Sequence, residues 1–164
     1  MTRTAGAHVK GRQLHLAFLE PPNCDGILAS PACPGVRLEP NGGLPEAAQL
    51  VDLKDRVVAE LRAAKVTRVV LVQTRKTNSW SYRDAYNRVI AVAALMFAAH
   101  ELQFEFSTEK TSAISKYLEV NATELDAVDS GRFGYKSNPK YWTTGLAQAY
   151  AGAAYGLSQG GERK

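Results

Sequence analysis

The sequence predicts an α/β domain whose mixed β-sheet is flanked by helices, in the order β-β-β-α-β-α-β-α. Two short runs flank Lys10-Gly11-Arg12, which is typical of an antiparallel hairpin. Val66–Val72 is almost continuously β-branched and apolar, as expected for a central parallel strand covered on both faces. A predicted helix on each side of that strand implies helical crossovers between the later strands.

The first three strands come before any helix. We predict strands over Thr4–Val9 and Gln13–Leu19, because Leu14, Leu16 and Phe18 alternate with smaller or polar residues. Residues 21–35 contain four prolines and both cysteines, a composition that predicts a loop. The short run Val36–Leu38 then predicts a third strand at the sheet edge.

The rest of the chain is predicted to alternate between helices and strands. Ser81 and Asp84 form a capping box pattern at the start of a long helix. The middle of that helix, Val89–Ala99, has no charged residue, so we expect it to be buried within the domain or against a second copy. Small residues at helical spacing in the final helix predict close packing. The predicted elements are helices Pro45–Ala64, Tyr82–Leu102, Thr111–Leu118 and Pro139–Leu157, a strand Gln103–Ser107, and a surface loop Asn121–Asn138.

Composition limits the kinds of protein that this chain can be. Its 164 residues, 45% of them hydrophobic, predict one domain over residues 1–158 with a flexible tail at 159–164. The net charge of +4 permits contact with nucleic acid without demonstrating it. No signal peptide or membrane-length apolar run is visible, so we expect a cytoplasmic protein without membrane contact. Cys24 and Cys33 predict reduced thiols rather than a bridge.

Two segments resemble a known superfamily. Phe104–Leu118, a strand followed by a polar turn and a short lysine-bearing helix, is similar to a segment of RuvC-type Holliday junction resolvases. Gly6–Glu20 resembles short, uncharacterised bacterial proteins that are classed with the same superfamily. The resemblance implies an RNase H-like fold and covers most of the chain. Enzymes of this superfamily cleave nucleic acid with two Mg²⁺ ions held by acidic residues.

The positions at which the resemblance would place carboxylates carry other residues. The first strand offers His8, the fourth ends at Gln73, and the last predicted helix contains neither Asp nor Glu. Magnesium needs oxygen ligands, which these residues do not supply as a set. We therefore predict no catalytic residue, no metal and no cofactor. The alternative is a relocated cluster of Asp84, Glu105 and Glu109 that would bind Mg²⁺, although Asp84 also fits a capping role.

Basic and aromatic residues surround the position where that site would lie. The loop after the fourth strand combines cations, hydrogen-bonding groups and aromatic rings just before a helix N-terminus, which favours phosphate and base contacts. The candidate nucleic-acid-binding residues are Arg75, Lys76, Asn78, Trp80, Tyr82, Lys110, Lys116 and Lys140.

Three functional hypotheses remain open from the sequence. The first is a catalytically inactive RuvC-like, RNase H-like domain that binds DNA or RNA, or a partner in a nucleic-acid-processing or defence assembly. The second is an active metal-dependent endonuclease with relocated carboxylates, and the third is a protein-interaction subunit without nucleic-acid contact. We also predict a homodimer that packs through the helix at residues 82–102.

Overall fold

The computed structural model describes residues 2–73 and 79–160 as one five-stranded mixed sheet with helices on both faces. The spatial strand order is β3-β2-β1-β4-β5. The strands are β1 Thr4–Lys10, β2 Gln13–Glu20, β3 Ser30–Leu38, β4 Arg68–Gln73 and β5 Glu105–Lys110. The helices are α1 Glu46–Ala64, α2 Tyr82–Glu101, α3 Thr111–Leu118 and α4 Ala147–Gly160, with 3₁₀ turns at Ala122–Ala127 and Ser130–Phe133 and a π turn at Trp142–Leu146.

The strand pairing follows the predicted pattern. β1 pairs with β2 and β2 with β3 in antiparallel fashion, whereas β1 with β4 and β4 with β5 are parallel. One hydrophobic core lies between the sheet and helices α1 and α2. A second core lies between the other face and helices α3 and α4. The predicted α/β class with a mixed sheet and flanking helices is confirmed.

Helix α4 lies unusually close to the sheet because small residues face it. A Cβ atom added at Gly6 would lie 1.8 Å from the Ala149 carbonyl oxygen, and one at Gly152 would lie 2.6 Å from Val72 Cγ2. Such distances are far below van der Waals contact, so larger side chains would force the helix away from the strands. The small-residue stripe of the final helix is therefore a packing surface, as predicted.

Helix α2 begins at the predicted capping box. The Ser81 hydroxyl accepts a hydrogen bond from the Asp84 amide, and the Asp84 carboxylate accepts one from the Ser81 amide. The uncharged middle of the helix is buried on one side only. Val89, Met96 and Phe97 are 63%, 50% and 59% exposed, so the domain itself covers only part of this apolar segment.

The predicted first residues of two elements were wrong. The third strand begins at Ser30 rather than Val36, and its prolines are accommodated because β3 is an edge strand with no neighbour on one side. The final helix begins at Ala147 rather than Pro139. Tyr141 and Gly145 have φ angles of +68° and +141°, which are incompatible with a right-handed helix.

Other boundaries differ less. β5 was predicted at Gln103–Ser107 but lies later, because Gln103 takes a left-handed conformation in the turn after α2. Helix α3 matches its prediction, and the predicted loop Asn121–Asn138 contains the two 3₁₀ turns. The last helix continues two residues past the predicted domain boundary at 158. Within the described ranges, no helix is both long and apolar enough to cross a bilayer.

Candidate functional site

The carboxyl ends of β1, β4 and β5 meet at one edge of the sheet. Ala7 is paired with Leu71 in the parallel β1–β4 ladder, and Val72 is paired with Glu109 in the β4–β5 ladder. Ligands of open α/β sheets bind beyond such strand ends. A cleft of about 320 Å³ opens here, and we call it the edge cleft. It is lined by His8, Val9, Lys10, Gly11, Trp80, Asp84, Arg88 and Gln148.

His8 is the residue of β1 at the base of the edge cleft, and the protein holds it neutral. Its side chain is 3% exposed, and Nδ1–H donates a hydrogen bond to the Gly145 carbonyl oxygen at 3.1 Å. Burial, together with the neighbouring His15 and the positive Arg88, lowers the pKa of His8 to about 3. The hydrogen bond leaves Nε2 as the unprotonated nitrogen. The site therefore presents a neutral imidazole where the resemblance would place a carboxylate.

His15 lies directly opposite His8 on β2 and completes a buried histidine pair. The two ring centroids are 6.2 Å apart. Burial lowers the pKa of His15 to about 4, and the backbone of His8 opposes this shift only in part. The π turn lies over this pair at Gly145, where an added Cβ would be 2.4 Å from His15 Cε1. Only glycine allows the turn to lie this close to the ring.

Positively charged side chains lie near the neutral imidazole of His8. The Arg88 guanidinium lies 5.6 Å from the centroid of the Trp80 ring, and its Nη1 donates to the Val9 carbonyl oxygen at 3.1 Å. Burial lowers the pKa of Arg88 from its usual value. Lys10 is exposed at the end of β1. Sequence reasoning did not select Arg88 or Lys10, although Arg88 follows the capping Asp84 by one helical turn.

The three carboxylates of the alternative metal site do not come together. Asp84 lines the edge cleft, but its Oδ2 accepts hydrogen bonds from the Ser81 amide at 3.0 Å and the Ser81 hydroxyl at 2.9 Å. These bonds lower the pKa of Asp84. Glu105 and Glu109 line a different cleft, and Glu105 Oε2 pairs with Arg68 Nη2 at 2.8 Å.

The residues of the edge cleft do not fit a pair of magnesium ions. Among the described residues, no group of three or more His, Cys, Asp or Glu side chains could hold a metal. The segment 74–78 reads Thr-Arg-Lys-Thr-Asn and contributes no carboxylate. One capped carboxylate, a neutral imidazole and the Gln148 amide are a poor donor set for this hard cation.

The predicted nucleic-acid-binding residues are placed in several different ways. Arg75, Lys76 and Asn78 lie outside the described residues. Trp80 lines the edge cleft, whereas Tyr82 is 85% exposed and stacks on Tyr86 beside a separate groove.

The predicted lysines are similarly dispersed. Lys110 ends β5 opposite Gln73, at the same edge of the sheet as the cleft. Lys116 is exposed on α3. Lys140 lies 4.7 Å from the Tyr141 ring centroid, and Arg37, which sequence reasoning missed, contacts the same ring.

The strand order, the two helical layers and the position of the edge cleft define an RNase H-like fold of the RuvC kind. Thermus thermophilus RuvC in complex with a Holliday junction substrate superimposes with a TM-score of 0.76 at 17% identity, covering 99% of this chain and 97% of that one. A second structure of T. thermophilus RuvC gives a TM-score of 0.72 at 18% identity, with 94% and 92% coverage.

A more distant structure has the same fold. Fowlpox virus resolvase, solved with its substrate Holliday junction DNA, gives a TM-score of 0.56 at 6% identity, with 96% and 98% coverage. No protein-family model and no curated protein sequence matches the chain. The resemblance predicted from the sequence is confirmed at the level of fold.

Proposed function

We propose that this protein is a catalytically inactive RuvC-like domain that binds nucleic acid along the carboxyl edge of its sheet and does not cleave it. One observation carries the proposal: a buried, neutral His8 stands at the base of the edge cleft, while Lys10 and Arg88 lie at its rim. Such a site can hold a phosphate backbone through charge. It lacks the cluster of carboxylates that two-metal cleavage requires.

The surrounding chemistry supports a polymer rather than a small anion. Cations and aromatic rings continue along the same edge, from Lys110 at the end of β5 to Arg37 near the end of β3. The sequence adds Arg75 and Lys76 after β4. A row of positive groups favours successive phosphates, and the ring of Trp80 can stack on a base. RuvC and the fowlpox enzyme, which share the fold, were solved with junction DNA.

Binding can be tested with a fluorescent four-way junction, its duplex arm and an equivalent RNA. We expect the wild-type protein to bind, with an affinity that falls steeply as salt rises because counterions are released from phosphates. Lys10→Gln should weaken binding and flatten the salt dependence. Arg62→Gln is the matched control, since Arg62 is exposed at the end of α1, beside the start of β4. Absence of binding to all three probes would favour a protein-interaction subunit.

Cleavage is tested with the same probes in Mg²⁺ or Mn²⁺. We expect intact substrate at protein concentrations that saturate binding. Cleavage that Asp84→Asn or Glu109→Gln abolishes would instead establish an active metal-dependent endonuclease with relocated carboxylates. The expected binding without cleavage would suit a subunit of a larger cytoplasmic, bacterial nucleic-acid-processing or defence assembly.

We further propose that the domain forms a homodimer through α2. Five of the exposed large hydrophobic side chains lie on one stripe of this helix, namely Tyr82, Tyr86, Val89, Met96 and Phe97. A contiguous apolar stripe on a surface helix is typical of an interface. In analytical ultracentrifugation we expect twice the 17.8 kDa mass of the chain.

A charge placed on that stripe should separate the dimer. Phe97→Glu would bury an unpaired carboxylate at the interface, which is costly, so we expect the monomer mass. Thr123→Glu is the matched control, because Thr123 is exposed in the 3₁₀ turn that packs with α3 and α4. A monomer in the wild-type protein would contradict the proposal.

A further inference from the structure

Two cations contact one tyrosine ring next to the π turn. The Arg37 guanidinium carbon lies 3.8 Å from the centroid of the Tyr141 ring, and Lys140 Nζ lies 4.7 Å from it. We call Arg37, Lys140 and Tyr141 the tyrosine clamp. Tyr141 is held at a φ of +68°, a left-handed conformation that is unusual for an aromatic residue and recurs at functional sites.

The positive charges of the clamp are not neutralised within the described part of the chain. Neither Arg37 nor Lys140 has a carboxylate within salt-bridge distance among the residues at 2–73 and 79–160. A hydrogen bond from Lys140 and the charge of Arg37 lower the pKa of the Tyr141 hydroxyl, and they outweigh burial and the charge of Glu39, which raise it. Two like charges on one ring repel each other, and an anion between them would relieve that repulsion.

A largely apolar cleft of about 530 Å³ adjoins the clamp. Pro34, Pro139 and Leu146 are among its lining residues, and Glu60 is the acidic residue there. Leu146 lies so close to Gly35 that a Cβ there would be 2.9 Å from Leu146 Cδ1. The cleft therefore combines an apolar surface, against which a flat ring can pack, with two cations that can bind a phosphate.

The clamp lies on the same face of the sheet as the edge cleft. Arg37 is paired with His15, which is paired with His8, so Arg37 and His8 are separated by two strand spacings of about 5 Å each. A strand bound at the edge cleft therefore reaches the clamp without leaving the protein surface.

We propose that the tyrosine clamp and its cleft bind an unpaired nucleotide, with the phosphate between Arg37 and Lys140 and the base against the Tyr141 ring and the apolar lining of the cleft. This inference rests on the proposed nucleic-acid binding and adds a preference for DNA with an unpaired end. The stripe on α2 takes no part in it.

Fluorescence anisotropy with two probes tests the inference, one a blunt duplex and the other the same duplex with a short unpaired thymidine tail. We expect the wild-type protein to bind the tailed probe about tenfold more tightly, the gain from a single base stack. Tyr141→Asn removes the ring while tolerating the left-handed backbone. It should reduce the tailed affinity to the blunt one and leave the blunt affinity unchanged. Arg37→Gln combined with Lys140→Gln should weaken binding of both probes, because two phosphate-binding charges are lost, and should abolish the difference between the two affinities. That loss of preference keeps the test valid if Tyr141→Asn unfolds.

Each outcome has a distinct meaning. Arg62→Gln, which removes one positive charge far from the clamp, should retain the tail preference. Equal wild-type affinity for both probes would overturn the clamp assignment while leaving the proposed function standing. A tail preference that survives the loss of Tyr141 and of both cations would also overturn it. Failure to bind either probe would overturn both the clamp assignment and the proposed function.

Discussion

The buried histidine pair predicts a loss of stability in mild acid. His8 is 3% exposed and His15 is fully buried, and their pKa values are lowered to about 3 and about 4. In the unfolded chain both would titrate near 6.5. At pH values between the folded and unfolded pKa values, the two histidines are protonated in the unfolded state but not in the folded state. The free energy of unfolding therefore falls as pH decreases.

The size of this loss in the free energy of unfolding follows from the difference between the folded and unfolded pKa values of the two histidines. Each pH unit below 6.5 costs about 1.4 kcal/mol per histidine until its folded pKa is approached. From pH 7 to pH 5 this amounts to about 2 kcal/mol for each ring, and about 4 kcal/mol for the pair. That is a large part of the stability of a domain of this size. The effect is complete only near pH 3.

Urea unfolding followed by tryptophan fluorescence at pH 7 and pH 5 measures this difference. His15→Leu removes one titrating ring and should roughly halve the loss, whereas His100→Gln, at an exposed position of α2, should leave it unchanged. A wild-type loss below about 1 kcal/mol would refute the account of two buried neutral rings. A full loss in His15→Leu would refute the role of His15.

Two further predictions concern packing and capping. Gly6→Ala should destabilise the domain by about 3 kcal/mol or more, because its Cβ would overlap the Ala149 carbonyl of α4; Gly42→Ala, whose nearest contact would be 3.9 Å away, should change thermal stability little. Ser81→Ala should cost about 1 kcal/mol in urea unfolding, because the capping box with Asp84 is lost. An unchanged unfolding midpoint in Gly6→Ala or Ser81→Ala would contradict these contacts.

The sequence was sufficient for the features that depend on local pattern. The hairpin around Gly11, the parallel strand β4 and the capping box at Ser81 each follow from residue spacing or turn chemistry. These features are stabilised mainly by residues that are close together in the chain, so the local sequence pattern is enough to predict them. The RNase H-like order then follows from the succession of strands and helices.

Features that depend on distant contacts could not be read in this way. Pro139 is a favourable residue for a helix start, but Gly145 must turn away from helical geometry because the His15 ring lies beneath it. Arg37 appeared as an ordinary strand residue, and only its stacking on Tyr141 distinguishes it. The separation of Asp84 from Glu109 likewise depends on which elements border each cleft.

The two outer strands determine how copies of this protein can assemble. On one side, β3 contains Pro31 and Pro34, which have no amide hydrogen to offer an incoming strand. On the other side, β5 carries Glu105, Glu109 and Lys110, and charges of this kind discourage edge-to-edge pairing. Growth by strand addition, the usual route to fibrils, is therefore blocked at both borders, and higher-order assembly is left to the helical surfaces.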